Sequence, residues 1–290
     1  MAELKEIKSR IQSVRSTQKI TSAMMMVSSA KLRKTQDIIQ NLYPYEQKLS
    51  QLLHIFLRET PEFDSPFTRQ RPVQRVAIVA FSSNTSLAGR FNDNISNKLK
   101  AVANTWISLG KENILVYPIG EKVARATRKL GLEVQGNYND ISAKPKYHEA
   151  QKIAAELMEQ FRQGTIDRVE LIYHHFQSKG SQIVVHEPFL PIELKPHVSG
   201  DAALDYIVEP DEKTIMVQLI PKVLKLKLFT THIDSVTSEH AARMTAMQIA
   251  TDNADNLIDE LTLEYNKMRQ QSITNELLDI VGGSFGQTRG

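Results

Sequence analysis

The sequence predicts an α/β protein. Long N- and C-terminal helices form an antiparallel, left-handed coiled coil, and a central Rossmann-like α/β domain with a mostly parallel sheet lies between them. Three observations carry this prediction. Glycine and proline are missing from residues 1–43 and from the 60 residues between Pro221 and Gly282. Both stretches repeat apolar and small residues with a 4-3 spacing. Between them, short β-branched runs alternate with helical patterns and close on a hairpin signal.

The first segment, 1–60, keeps its seam through Leu4, Ile7, Ile11, Val14, Gln18, Thr21, Met25, Ser28, Leu32, Thr35, Ile39, Leu42, Glu46, Leu49, Leu53 and Phe56. The third, 211–283, keeps one through Leu219, Val223, Leu226, Thr230, Ile233, Thr237, His240, Met244, Met247, Thr251, Ala254, Ile258, Leu261, Tyr265 and Met268. A 3.5-residue period implies a left-handed supercoil. Thr, Ser, Ala and Met recur on both seams, so the helices approach closely and grip loosely. A 60-residue helix would be roughly 90 Å long, longer than any domain this chain builds alone. Two separate surface helices on the central domain would find too little surface, so the two long helices pair with each other.

The central segment, 70–200, has a different pattern. VQRVAIVAF (73–81) reads as a buried strand, FNDNISNKLKAVANTWISL (91–109) as a helix and NILVYPI (113–119) as a strand. EKVARATRKL (121–130) reads as a helix, LEVQGNY (132–138) as a strand, and YHEAQKIAAELMEQFRQ (147–163) as a helix closed by Gly164. DRVELIYHHF (167–176) and SQIVVHEPF (181–189) flank Gln177-Ser178-Lys179-Gly180, a hairpin signal. Alternating strands and helices followed by a hairpin give a parallel sheet with an antiparallel edge.

Composition excludes several function classes. A net charge of +3 is too small to argue for nucleic acid, but its distribution is uneven. Residues 1–34 carry eight Lys/Arg against two Glu, and residues 252–264 carry five acids and no base. The chain has no Cys, which excludes disulfides, thiolate catalysis and Cys-ligated metals. No apolar run is long enough to span a membrane, and the N-terminus lacks the apolar core of a signal peptide and the acid-poor character of a transit peptide.

The motifs of nucleotide chemistry are also missing. After the first strand comes SSNTSLAGRFN (82–92), whose single glycine, Gly89, reads as a turn before a helix. A pyrophosphate cradle needs several glycines, and no Gly-Lys-Ser/Thr occurs. The histidines form no metal pair: His174 and His175 are adjacent in a strand and face opposite sides, while His240 sits packed on the helical seam. Asp167, Glu170 and Glu187 are expected as solvated carboxylates of the hairpin. No catalytic, cofactor-binding or metal-binding residues emerge. Of Met24, Met25 and Met26, only Met25 lies on the seam. Flexible, polarizable methionines suit a surface that meets more than one partner geometry, and a basic cluster, Lys31, Arg33 and Lys34, follows.

Three motifs resemble the gamma subunits of F-type ATP synthases, of bacterial type. They are KEIKSRIQSVRSTQKITSAMMMVSSAKLRK (5–34), SEHAARMTAMQIATDNADNLIDELTLEYNKMRQQSITNELLDIVGG (238–283) and, less strictly, SSNTSLAGRFN. The resemblance implies a central rotor shaft that couples ion-driven rotation to ATP synthesis or hydrolysis at alpha–beta sites on other chains. It implies as partners the alpha and beta subunits of the catalytic hexamer, the epsilon subunit and the c-ring, with the chain peripheral to the cytoplasmic side of the cell (inner) membrane. It places Arg269, Gln270, Thr274 and Glu276 at a catch on the beta subunit, and Met24 against the beta subunit's acidic lever region. Ser22 stands where the family usually has Lys or Arg, and Ser86 and Arg90 where it usually has glycines. The lack of Cys excludes the dithiol switch of chloroplast members. A structural coiled-coil scaffold with a ligand- or protein-binding α/β head is the alternative reading.

Overall fold

The computed structural model describes residues 2–59, 63–193, 208–209 and 211–287. Residue 60, which ends the first expected segment, and residues 194–200, which end the central one, lie outside the described residues. Two compact units form: residues 1–27 with 244–290, and residues 28–243. The long helices α1 (Ala2–Glu59, 58 residues) and α6 (Glu212–Gln287, 76 residues) contribute to both.

In the larger unit, strand β1 (Val76–Phe81) is flanked by parallel partners β2 (Ile114–Ile119) and β4 (Arg168–Ser178). The short β3 (Glu133–Val134) adds to β2, and the antiparallel β5 (Ser181–Leu190) pairs with β4. The sheet order is β3-β2-β1-β4-β5, and its parallel pairing with an antiparallel edge is what the alternation followed by a hairpin predicts. Every β1 residue is buried, and its side chains alternate between two cores. Val76, Ile78 and Ala80 pack with α2 (Phe91–Thr105) and α3 (Glu121–Leu130) through Ile95, Leu99 and Val123. Ala77, Val79 and Phe81 face α5 (Tyr147–Gln163) and also Leu53, Phe56, Met216 and Val223 of the two long helices.

Boundaries move where local chemistry overrides pattern. The strand expected over 132–138 shrinks to two residues because Gly136 takes φ +70, which turns the chain off the sheet edge. The helix expected over 91–109 ends at Thr105 and passes into a short 3-10 turn, Ile107–Leu109. After β3, α4 (Asn139–Ser142) is too short to leave a periodic signal. Gly164 closes α5 in the left-handed conformation, with φ +76, as its position predicts.

The helical seams behave as the 4-3 spacing requires. Every seam residue of both helices is buried or half-buried. In the smaller unit Ile7 and Ile11 pack on Leu261, with Val14, Tyr265 and Met268 beside them, and the Thr21 and Thr251 hydroxyls lie 2.8 Å apart. In the larger unit Tyr43 reaches Asp234, and Lys222 lies over the Tyr45 ring. Sequence numbers rise on one helix as they fall on the other, so the pairing within each unit is antiparallel. The basic early residues therefore run alongside the acidic 252–264 stretch, which favours this direction over the parallel one.

Candidate functional site

Open α/β sheets bind ligands outside the carboxyl ends of their strands, where strand order reverses. In this sheet the reversal falls between β1 and β4. The protein fills that crevice itself. Residues 231–240 of α6 are buried on all sides. His232 sits 5.4 Å from the Phe81 ring, and its Nε2 lies 3.4 Å from the Ser142 carbonyl. The Ser238 hydroxyl donates to the His174 carbonyl at 3.1 Å.

The loop after β1 is satisfied from within the chain. The Ser83 hydroxyl donates to the Thr85 carbonyl at 2.5 Å, and the Asn92 side chain accepts from Ser83 N–H at 3.1 Å. Asn84 bonds the Asn139 carbonyl and accepts from Glu121 N–H, while Lys122 donates to Ser86. Arg243 bridges Thr85 and Glu239, at 3.0 and 2.5 Å. The polar groups of this loop are thus spent on internal bonds. Among the described residues no group of three His, Cys, Asp or Glu could hold a metal ion, and no helix is long and apolar enough to cross a membrane.

The candidate partner surface lies in the smaller unit. The cluster around Leu261 reaches Met268, and from Arg269 onward the described side chains of α6 are exposed apart from half-buried Ser272. Helical spacing sorts them into two adjoining stripes, Arg269–Ile273–Glu276 and Gln270–Thr274–Leu277. Each stripe mixes hydrogen-bonding groups with large apolar ones. Ile273, Leu277 and Leu278 are 48%, 58% and 63% exposed. The Thr274 hydroxyl donates to the Gln270 carbonyl at 2.9 Å, which leaves its lone pairs outward. On α1, Met24 is half-buried while Ile20, Met26 and Val27 are largely exposed. Grouped apolar side chains facing solvent mark an interaction surface.

Other expected positions resolve differently. His174 and His175 do face opposite ways: His174 stacks on Phe91 at 4.3 Å, and His175 Nδ1 meets Asp234 at 2.7 Å. His240 is buried on the seam. The expectation of solvated hairpin carboxylates is corrected at Glu170, which is 3% exposed. Glu170 accepts from Arg168, His186 and Trp106, and despite the cost of burial these donors hold its carboxyl below the usual range. Register places Glu187 opposite Leu171, one residue along from Glu170, so the two carboxylates face opposite sides. Sequence reasoning missed Asp234, a carboxylate 1% exposed inside a helix. Its only signal was an acid in a segment too short of charged neighbours to be a solvated face.

A family profile described as ATP synthase matches residues 3–285. The chain is 53% identical to the ATP synthase gamma chain of Bacteroides thetaiotaomicron, over 98% of this chain and 100% of that one. It is 47% identical to the ATP synthase gamma chain of Christiangramia forsetii, over 98% of each. Among solved structures, a chain of the Euglena gracilis mitochondrial ATP synthase OSCP/F1/c-ring structure shares the fold, with a TM-score of 0.64 at 16% identity over 99% of this chain and 95% of that one. A chain of the Tetrahymena thermophila central stalk/c-ring structure does so with a TM-score of 0.57 at 21% identity, over 80% of this chain and 99% of that one. Identity of this level over the full length, on top of the paired helices and self-filled sheet, leads to one conclusion: the chain belongs to the ATP synthase gamma-chain family, in its bacterial form.

Proposed function

We propose that this chain is the central rotor shaft of an F-type ATP synthase, coupling ion-driven rotation of a c-ring to ATP synthesis or hydrolysis at alpha–beta catalytic sites. The observation that carries this is the stretch of α6 beyond Met268. It continues as helix after its seam contacts with α1 end, and it presents polar and apolar side chains outward together. A helix that only served to hold the fold together would end with its partner. Alpha and beta subunits surround this end, and the epsilon subunit and c-ring bind elsewhere on the chain. The complex sits at the cytoplasmic side of the cell (inner) membrane, with this chain peripheral to it.

In this reading Arg269, Gln270, Thr274 and Glu276 engage a catch on the beta subunit, and Met24 meets its acidic lever region. Their two-stripe arrangement suits a shaft that meets successive faces in turn. Shallow contacts through Met, Ser and Thr let go as readily as they form. Losing one charge-assisted hydrogen bond at the catch costs roughly 1–3 kcal/mol. Arg269→Leu and Gln270→Leu are therefore expected to lower ATP hydrolysis and synthesis by about one order of magnitude or more while alpha and beta still co-purify. Full activity at equal subunit content would remove the catch from the mechanism.

A further inference from the structure

Three elements of the larger unit meet at one buried carboxylate. Asp234 on α6 accepts the Tyr43 hydroxyl of α1 at 2.9 Å. It also accepts His175 Nδ1 of β4 at 2.7 Å and the Phe176 backbone N–H of β4 at 2.8 Å. Tyr43 stays a donor, because burial and the Asp234 charge push its ionisation far up. The residue after it, Pro44, has no N–H, so the Gln40 carbonyl loses its helical donor and α1 is weakest there. A cavity of about 380 Å³, lined by Gln36, Gln40, Tyr43, Pro44, His175 and Asp234, lies beside the junction. Packing is therefore incomplete on this side of the junction, where the Tyr43 and His175 rings meet edge-on at 6.0 Å, and directional bonds tie the three elements together.

We propose that Asp234 is a torque-transmitting junction, at which twist passes between the α/β sheet and the helix pair through the Tyr43–Asp234–His175 bonds. The inference rests on the rotor-shaft reading. The hydrophobic effect is non-directional, whereas a buried carboxylate bonded by donors from two elements resists displacement in direction as well as distance. Bonds from one strand and from one helix to the same side chain also prevent the sheet from following only one of the two helices.

The test measures stiffness directly in the assembled complex of this chain with the alpha–beta hexamer, immobilised through the hexamer. The chain has no Cys, so one introduced thiol gives one marker site. Gly180→Cys places a marker at the hairpin tip, where an added side chain meets nothing within 4 Å. Lys48→Cys places one on an exposed position of α1. Thermal angular variance of each marker is recorded with the complex stalled. His175→Leu leaves one of the two sheet bonds to Asp234, so the hairpin variance should rise about two-fold, while α1, which loses its Tyr43–His175 contact at 3.1 Å but keeps the Tyr43–Asp234 bond, should rise much less. Asp234→Asn should act in the same direction. Ser238→Ala removes a different bond between α6 and the same strand and should leave both markers unchanged. Unchanged hairpin variance in His175→Leu overturns the proposal, as does an equal rise at the α1 marker or in Ser238→Ala. Failure of the parent chain to assemble with the hexamer would instead overturn the shaft reading.

Discussion

Acidification should destabilise the larger unit through three histidines that burial keeps neutral. His174, His232 and His240 all lie inside it, and burial lowers each to about 4, with Arg243 and Lys31 adding to the effect at His240. In the unfolded chain each returns to about 6.5. The folded pKa is the lower one, so the unfolded chain takes up protons first. Stability is complete above about pH 6.5 and is lost as pH falls toward 4. Between pH 7 and 5.5 each histidine should cost about 1 kcal/mol, and the three together about 3 to 4 kcal/mol. Glu239 works in the opposite sense, since burial raises its carboxyl and so favours the fold at low pH. Its effect sets in as pH falls through the raised folded value, so it offsets part of the histidines' loss without reversing it. The chain has one tryptophan, and Trp106 donates to buried Glu170 at 3.2 Å, so its fluorescence reports on this unit. Urea unfolding followed at Trp106 should give a lower stability at pH 5.5 than at pH 7, and His232→Leu should remove about a third of that difference. A stability that is flat or rising as pH falls through this window would refute the reasoning.

Three further outcomes are expected. The isolated chain should not hydrolyse ATP, because its sheet crevice is filled by α6; phosphate release by chain free of alpha and beta would contradict this. Thr21→Cys with Thr251→Cys should form an internal disulfide on oxidation, since the two hydroxyls are 2.8 Å apart; no change in gel mobility on oxidation would reject the antiparallel register of the smaller unit. Leu32→Ala, at a position 1% exposed, should cost about 2–5 kcal/mol in urea unfolding. Met26→Ala, 60% exposed, should stay within about 0.5 kcal/mol of the parent, and equal costs for the two would place the seam wrongly.

The long helices were legible because their signal is repeated. A 4-3 pattern over dozens of residues outweighs any one anomaly, including Gln18, Glu46 and His240 on the seam, and all of these are buried or half-buried as the pattern requires. The strand order was legible only as a class, because alternation of elements implies parallel pairing without saying which strand lies beside which. β3 is shorter than its apolar run because Gly136, just beyond it, takes a left-handed conformation that turns the chain off the sheet edge. Glu170 and Asp234 were not legible as buried groups. What keeps each inside is a set of donors far away in sequence, Trp106 and His186 for one, Tyr43 and His175 for the other. Such pairings exist only once the sheet and helices are assembled. The residues expected at a catch, Arg269, Gln270, Thr274 and Glu276, follow from resemblance alone. Their exposure, and the apolar Ile273, Leu277 and Leu278 among them, became visible only with the helix in view.

Rotation of this chain within its partners can be observed directly. The chain carrying Gly180→Cys is assembled with alpha and beta subunits, the hexamer is fixed to a surface, and a marker on the thiol is followed while ATP is supplied. Sustained rotation in one direction that stops when ATP is removed is expected. ATP hydrolysis by the assembled complex with the marker held at a fixed angle would contradict it.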